Sequence, residues 1–423
     1  MCKILKGDFL KIMNKIIKAL FFGLLISNIL IFSAVIYLDN SIDSEFKIKS
    51  GEALNISSAV PITAEYNGAK LSRVSGNYRV GEEFEVDLKA FGIIPISTAK
   101  VEVIDELQVA VLGTPFGMKI YTDGVLVSDM TEVATQNGNK NPAKEAGIKA
   151  GDYIVSVNGK KVYTNEDLGY IVENSNGEKM RFEVTRGNSK IYFNFSAVKE
   201  KGTEQYKIGI WVKDSSAGIG TLTFYSPSTN LLCGLGHGIC DDASKKLLKI
   251  NSGEIVSAQI ISVEKGKMGA AGQLKGRFNF ETLGDIRLNC ERGVYSEFKA
   301  NLKFSDLTEI ALKQEVKEGK AEILCTVEGE APKTYSCEIE IRNSNYNSST
   351  QNMLVTVTDK ELLEKTGGIV QGMSGSPLIQ NGKLIGAVTH VLVDDPTKGY
   401  AIFAENMLET AQLVSEQQLK EAS

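Results

Sequence analysis

The chain has 423 residues, a formal net charge of -5, 43 % hydrophobic and 23 % charged positions, a composition that excludes a disordered or fibrous protein. His237 and His390 are its two histidines, so a polyhistidine metal centre is excluded, and its six cysteines contain no C-x-x-C pair of the zinc or dithiol redox kind. Residues 1–18 are basic and the remainder is acidic, which argues against nucleic acid as a partner.

From Ala19 to Leu38 no residue is charged, and twenty residues at about 1.5 Å each cover a hydrocarbon core of roughly 30 Å. The predicted element is a transmembrane anchor over 19–38. Lysines precede it in the cytoplasmic segment 1–18, and Asp39, Asp43 and Glu45 follow, so the chain beyond it is expected to be exported. A cleaved signal peptide is the alternative. Residues 39–105 alternate apolar and polar positions, as in Phe84-Glu85-Val86-Asp87-Leu88, and predict a β-rich stalk without visible chemistry.

Residues 106–199 carry a denser pattern. A glycine-bounded loop, Gly113-Thr114-Pro115-Phe116-Gly117-Met118-Lys119-Ile120, runs into a strand. Asn141-Pro142 opens a short helix, and Ala150-Gly151-Asp152-Tyr153-Ile154 leads through a strand to the turn Asn158-Gly159. Thr164 with Asp167 forms a capping box, and two further strands flank Gly187-Asn188. This order resembles a PDZ domain. The resemblance implies that Gly113, Phe116, Gly117 and Ile120, with Leu168 on the second helix, bind a peptide carboxylate or an added strand; the alternative is a packing module whose groove is filled by this same chain.

Residues 200–423 hold the chemistry. The stretch Gly218 to Cys240 contains an alternating strand and then sets His237 between Gly236 and Gly238, where the ring can be approached. Further on, Gln371-Gly372-Met373-Ser374-Gly375-Ser376-Pro377 precedes an apolar strand and the hairpin turn Asn381-Gly382. An acyl-transfer nucleophile needs a tight loop that exposes its hydroxyl and aims N–H groups at the developing oxyanion. Ser374 therefore reads as nucleophile, the N–H groups of Gly372 and Ser374 as oxyanion hole, and Ser376 as a brace. The layout is similar to trypsin-like proteases, and the 137 residues from His237 to Ser374 approximate the roughly 45 plus 93 of the chymotrypsin order. Cys233 and Cys240 bracket His237 and leave open a thiol nucleophile or a disulfide, while His390 is expected at the specificity pocket or packed at a strand end.

With its anchor, PDZ-like module and the segments GIGTLTFY, GLGHGI and TGGIVQGMSGSPLIQNGKLIGAVTH, the chain resembles the SpoIVB-type serine peptidases of endospore-forming bacteria. The resemblance implies a mainly β fold with a two-barrel trypsin-like domain and a serine endopeptidase that uses no cofactor. It also implies a location in the forespore intermembrane space, with cleavage of a membrane-bound regulatory partner that leads, through an intramembrane protease, to a late sigma factor. Self-cleavage, with the chain's own N-terminal region as PDZ ligand, is part of the same implication. Carried over by position, His237 is the base, Ser374 the nucleophile and Asp359 the orienting acid. Spacing alone favours Asp285, and Asp241 and Asp242 remain open. The alternative function is a peptide-binding scaffold with an inactive protease domain.

Overall fold

The computed structural model describes the chain except residues 1, 43, 51, 53, 55, 57, 59, 72–78, 163–164, 188, 204, 241–246, 249, 302–303, 305, 343–348 and 423. The expected cap Thr164, turn residue Asn188 and candidate acids Asp241 and Asp242 lie outside the described residues.

Helix α1 (Cys2–Ser41) includes Leu20–Asn40, 21 residues of mean hydropathy 2.3, exposed along nearly all its length, with Leu38 buried near its end. It is long and apolar enough to cross a membrane. Two of its polar side chains bond back within the helix: Asn28 donates to the Leu24 carbonyl and Ser33 to that of Ile29, each at 2.8 Å. The segment expected as a stalk is a five-stranded sheet, in spatial order 45–49, 94–104, 83–90, 62–66, 69–70. Phe84, Val86 and Leu88 turn inward together with Val101 and Val103, as their alternation requires.

The second unit contains two closed six-stranded barrels. The first is built from β1 (Pro115–Met130), β2 (Ile210–Ser226), β3 (Leu231–Gly234), β4 (Ile250–Glu264), β5 (Gln273–Cys290) and β6 (Gly293–Phe298), paired in the order 1-2-3-6-5-4 and closed by β4 on β1. The second is built from β7 (Gly319–Cys325), β8 (Lys333–Ile341), β9 (Met353–Val357), β10 (Pro377–Gln380), β11 (Lys383–Val391) and β12 (Lys398–Phe403). Its order is 7-8-9-12-11-10, the same wiring repeated. Closure removes the sheet edges. Between β10 and β11, Asn381 (φ +53°) and Gly382 (φ +78°) make the left-handed pair that a two-residue hairpin needs.

A smaller module sits between β1 and β2 in sequence. Asn141 caps helix α2 (Pro142–Ala146), which ends on left-handed Gly147. The strand 153–157 pairs with the end of β1 and with 179–186, which in turn pairs with 189–196. Helix α3 (Asn165–Glu173) drops Leu168 and Val172 into a core with Val125, Ile154, Phe182 and Phe195. Buried Asp152 receives both Arg186 Nε and Nη2 at 2.7 Å, a bidentate pair that ties the loop after α2 to this sheet.

The module's boundary differs from expectation. Residues 115–121 pair with β2 on one side and, over 116–122, with β4 on the other, so they belong to the first barrel. Phe116 is fully buried with Leu222, Leu232 and Ile255. A side chain on Gly117 would strike Phe278, one on Gly113 would strike Leu324, and Ile120 is paired through its backbone to Ser216 and Gly253. Phe116, Gly117 and Ile120 are thus barrel-strand residues, and Gly113, whose N–H donates to the Leu222 carbonyl of β2, leads into the same strand; together they form no peptide groove. Leu168, 3 % exposed, is core. The strand was expected to be open because its glycines and alternation suit a groove edge; two strands of the same chain occupy both its edges.

Candidate active site

The chain leaves β3 through Leu235 (φ +65°) and Gly236 (φ +66°). Two successive left-handed residues turn it sharply. A Cβ on Gly236 would come within 3.0 Å of Ile402 and Thr389 side-chain carbons, so glycine lets the loop nest on the second barrel. His237, half-buried, follows. Its Nδ1 lies 2.9 Å from the Gly238 carbonyl; that bond assigns the proton to Nδ1 and leaves Nε2 as the free acceptor, the tautomer a general base uses. Burial pushes the His237 pKa down, partly offset by this bond. Asn289 pins the loop beyond, accepting from the Ile239 N–H at 2.8 Å and donating to the Ile239 and Leu248 carbonyls at 3.0 Å.

The facing loop comes from the second barrel, just before β10. Gly372 (φ +96°) and Gly375 (φ +95°) enclose Met373 and Ser374. A Cβ on Gly375 would lie 1.9 Å from the Thr221 carbonyl oxygen, so this position admits glycine alone. Thr221 and Thr223, on β2 and almost fully buried, hold the loop. Thr221 Oγ1 donates to the Gly372 carbonyl at 2.9 Å, its N–H donates to the Ser374 carbonyl at 2.9 Å, and Thr223 Oγ1 donates to the Gly375 carbonyl at 2.7 Å. With the loop's carbonyls thus fixed, the N–H groups of Gly372 and Ser374 make no hydrogen bond among the described residues, the condition an oxyanion hole requires.

Ser374 Oγ donates to the Thr389 carbonyl at 2.7 Å. The next residue, His390, packs its ring against His237 in a tilted contact, with 4.6 Å between centroids and 36° between planes. His390 keeps part of its surface in solvent, yet its pKa is held down at about 4 by desolvation and then by the His237 charge. The histidine and the serine loops, far apart in sequence, therefore meet across the two barrels through Gly236, Thr389 and His390. Ser376 is sealed from solvent and its hydroxyl has no partner among the described residues, so it is no rival nucleophile; its backbone braces the loop by accepting from Val388 N–H at 3.0 Å.

The orienting acid is not where it was expected. Asp359 caps helix α4 (Lys360–Thr366), taking the Leu362 N–H at 3.1 Å and the Ser336 N–H at 3.4 Å, and makes no bond to His237. A Thr-Asp-Lys-Glu run ahead of a helix is also an N-cap sequence, and capping claims this carboxylate. Asp285 lies on β5 and pairs with Lys299. Among the described residues no carboxylate bonds His237. The five cysteines whose side chains are described are free: Cys240 is exposed, while Cys233, Cys325 and Cys337 are buried, and desolvation raises the pKa of those three and of half-buried Cys290, the reverse of what a thiol nucleophile needs. Thr221, Thr223 and Asn289 were missed by sequence reasoning; the available signal was the alternating run Thr221-Leu222-Thr223-Phe224, whose threonines lie on the face opposite core residue Leu222.

Residues 204–408 match the family SpoIVB peptidase S55, and residues 140–186 match a PDZ domain family. The probable periplasmic serine endoprotease DegP-like of Brucella suis biovar 1 (strain 1330) is 30 % identical over 199 residues, covering 43 % of this chain and 37 % of that protein. The corresponding protein of Brucella abortus (strain 2308) matches to the same extent. The match thus spans little more than a third of the length of these relatives.

Proposed function

From a chain that belongs to the SpoIVB peptidase S55 family and carries a PDZ domain, we infer a membrane-anchored serine endopeptidase. Ser374 attacks the scissile carbonyl, His237 Nε2 takes its proton and later delivers it to the leaving amine, and the Gly372 and Ser374 N–H groups hold the oxyanion. The observation that carries this reading is the convergence of the His237 loop with a glycine loop whose two N–H groups are unspent. In the resting arrangement Ser374 Oγ faces Thr389, so reaction begins with a rotation of one side-chain torsion between staggered wells.

Family membership and the apolar helix α1 support a finer proposal. The catalytic unit is exported, lies in the forespore intermembrane space, and signals in spore formation by cleaving a membrane-bound regulatory partner upstream of an intramembrane protease and a late sigma factor, besides cleaving itself. A helix that keeps the unit at one membrane raises the effective concentration of membrane-bound substrate to about millimolar for a short linker. The N-terminal region of this chain remains the proposed PDZ ligand; since residues 115–121 are taken by the barrel, it binds elsewhere on the module.

The test is labelling of the full chain by a fluorophosphonate, with hydrolysis of a peptide substrate measured beside it. Ser374→Ala should lose both and Ser376→Ala should keep both. The second reading, a peptide-binding scaffold, takes support from Ser374 facing Thr389 and from a His237 without a carboxylate; absence of labelling in the unaltered chain would select it.

A further inference from the structure

Resting on the serine-peptidase reading, we propose that the cleft beside Gly372 is the subsite that selects substrate, taking an apolar side chain of a polypeptide bound in extended form close to its scissile bond. The cleft holds about 430 Å³ and includes Gly372 in its wall. A carbonyl oxygen seated on the Gly372 N–H therefore places its own chain at the cleft mouth.

The backbone beside it is prepared for such a chain. Strand β2 pairs with β1 over Gly218 to Thr221, but with β3 only from Leu222 onward, so Gly218–Gly220 keep one edge unpaired in the sheet. Leu222 sends its N–H to Thr114, on the β1 side, whereas Thr221 sends its own to the Ser374 carbonyl on the opposite side. By the two-residue alternation of a strand, Ile219 points its N–H and carbonyl the same way as Thr221, along the edge that leads away from Ser374. A substrate passing the nucleophile in extended form adds there as one more strand.

The pocket chemistry names the side chain. Ile219, Leu274 and Phe278 supply the apolar part of a lining that Gln273 and Gln371 complete with uncharged polar groups, and glycine keeps the space open, since a Cβ on Gly276 would come within 2.8 Å of Ile219 Cδ1. The cation of the lining, Lys275, is paired with Glu264 at 3.0 Å, so no unpaired charge of the lining opposes burial of an apolar side chain there.

The experiment profiles cleavage of a quenched peptide library by the full chain in detergent, with active sites counted by fluorophosphonate labelling. The expected result is one position, at a fixed distance from the cut, where apolar residues exceed aspartate at least tenfold, with that ratio falling about tenfold in Phe278→Ala and in Ile219→Ala. Two variants are used because Phe278 also packs beneath Gly117. A profile without an apolar position, or wild-type ratios in both variants, would overturn the proposal. Cleavage by a chain that takes no label would count against the serine reading and still let the profile judge the cleft.

Discussion

The imidazoles of His237 and His390 pack in a tilted contact, 4.6 Å between centroids, across the seam of the two barrels, which puts the second histidine of the chain against the first in a site where no described carboxylate reaches either ring. A neighbouring imidazole supplies apolar surface and steric definition, and as long as it stays neutral it adds no charge.

The pH dependence follows from the direction of these shifts. His237 must be neutral to accept the Ser374 proton, and its pKa lies below the ordinary 6.5, so the acid limb of kcat/KM should fall below pH 6.5. Replacing His390 by glutamine admits water to the His237 face and should move that limb upward. An unmoved limb in His390→Gln would show that His390 does not desolvate the base.

The same lowering has a stability sign. A histidine whose folded pKa is depressed contributes stability that is fully present above the unfolded value of about 6.5 and is lost as pH falls through the folded value, here about 4 for His390. Thermal unfolding should show the Tm of the native chain declining more steeply than that of His390→Gln between those pH values.

Asp359→Asn should preserve the helix cap, because asparagine accepts the Leu362 N–H equally well, and should leave hydrolysis within severalfold. Asp359→Ala should cost about 1 kcal/mol of stability, read by chemical denaturation. A loss near 10⁴-fold in kcat for Asp359→Asn is the signature of a triad acid and would return the residue to that role.

Thr221→Val removes the hydroxyl that fixes the Gly372 carbonyl. Expected is a fall of about tenfold or more in kcat with KM little changed, since an oxyanion donor itself is worth about 10²–10³. Thr221→Ser, which keeps the donor, should recover most of the rate, whereas a mere packing role would leave serine and valine alike.

Gly375→Ala should abolish labelling and destabilise the second unit. Its Cβ would overlap the Thr221 carbonyl, and the left-handed φ of +95° is itself unfavourable for alanine. Labelled, stable Gly375→Ala protein would mean that this loop differs in solution.

Local rules were enough for much of this molecule. The uncharged run of α1, the Asn158-Gly159 and Asn381-Gly382 turns, the Asn141 cap, and the glycine settings of His237 and Ser374 are all written in neighbouring residues, because helix length, left-handed turns and an accessible hydroxyl depend on what stands within a few positions. What tertiary structure alone decided depends on pairing at a distance. Residues 115–121 look like a groove edge until β2 and β4 occupy both sides; Asp359 looks like a triad acid until two backbone N–H groups claim it; and His390 becomes part of the site when barrel closure brings Thr389 to Ser374. The strand partners of 115–121 lie about a hundred residues or more further on, and Asp359 is claimed by Leu362, three residues on, and Ser336, 23 residues back; in both cases the outcome is a competition among possible partners, which the spacing from His237 to Ser374 does not record.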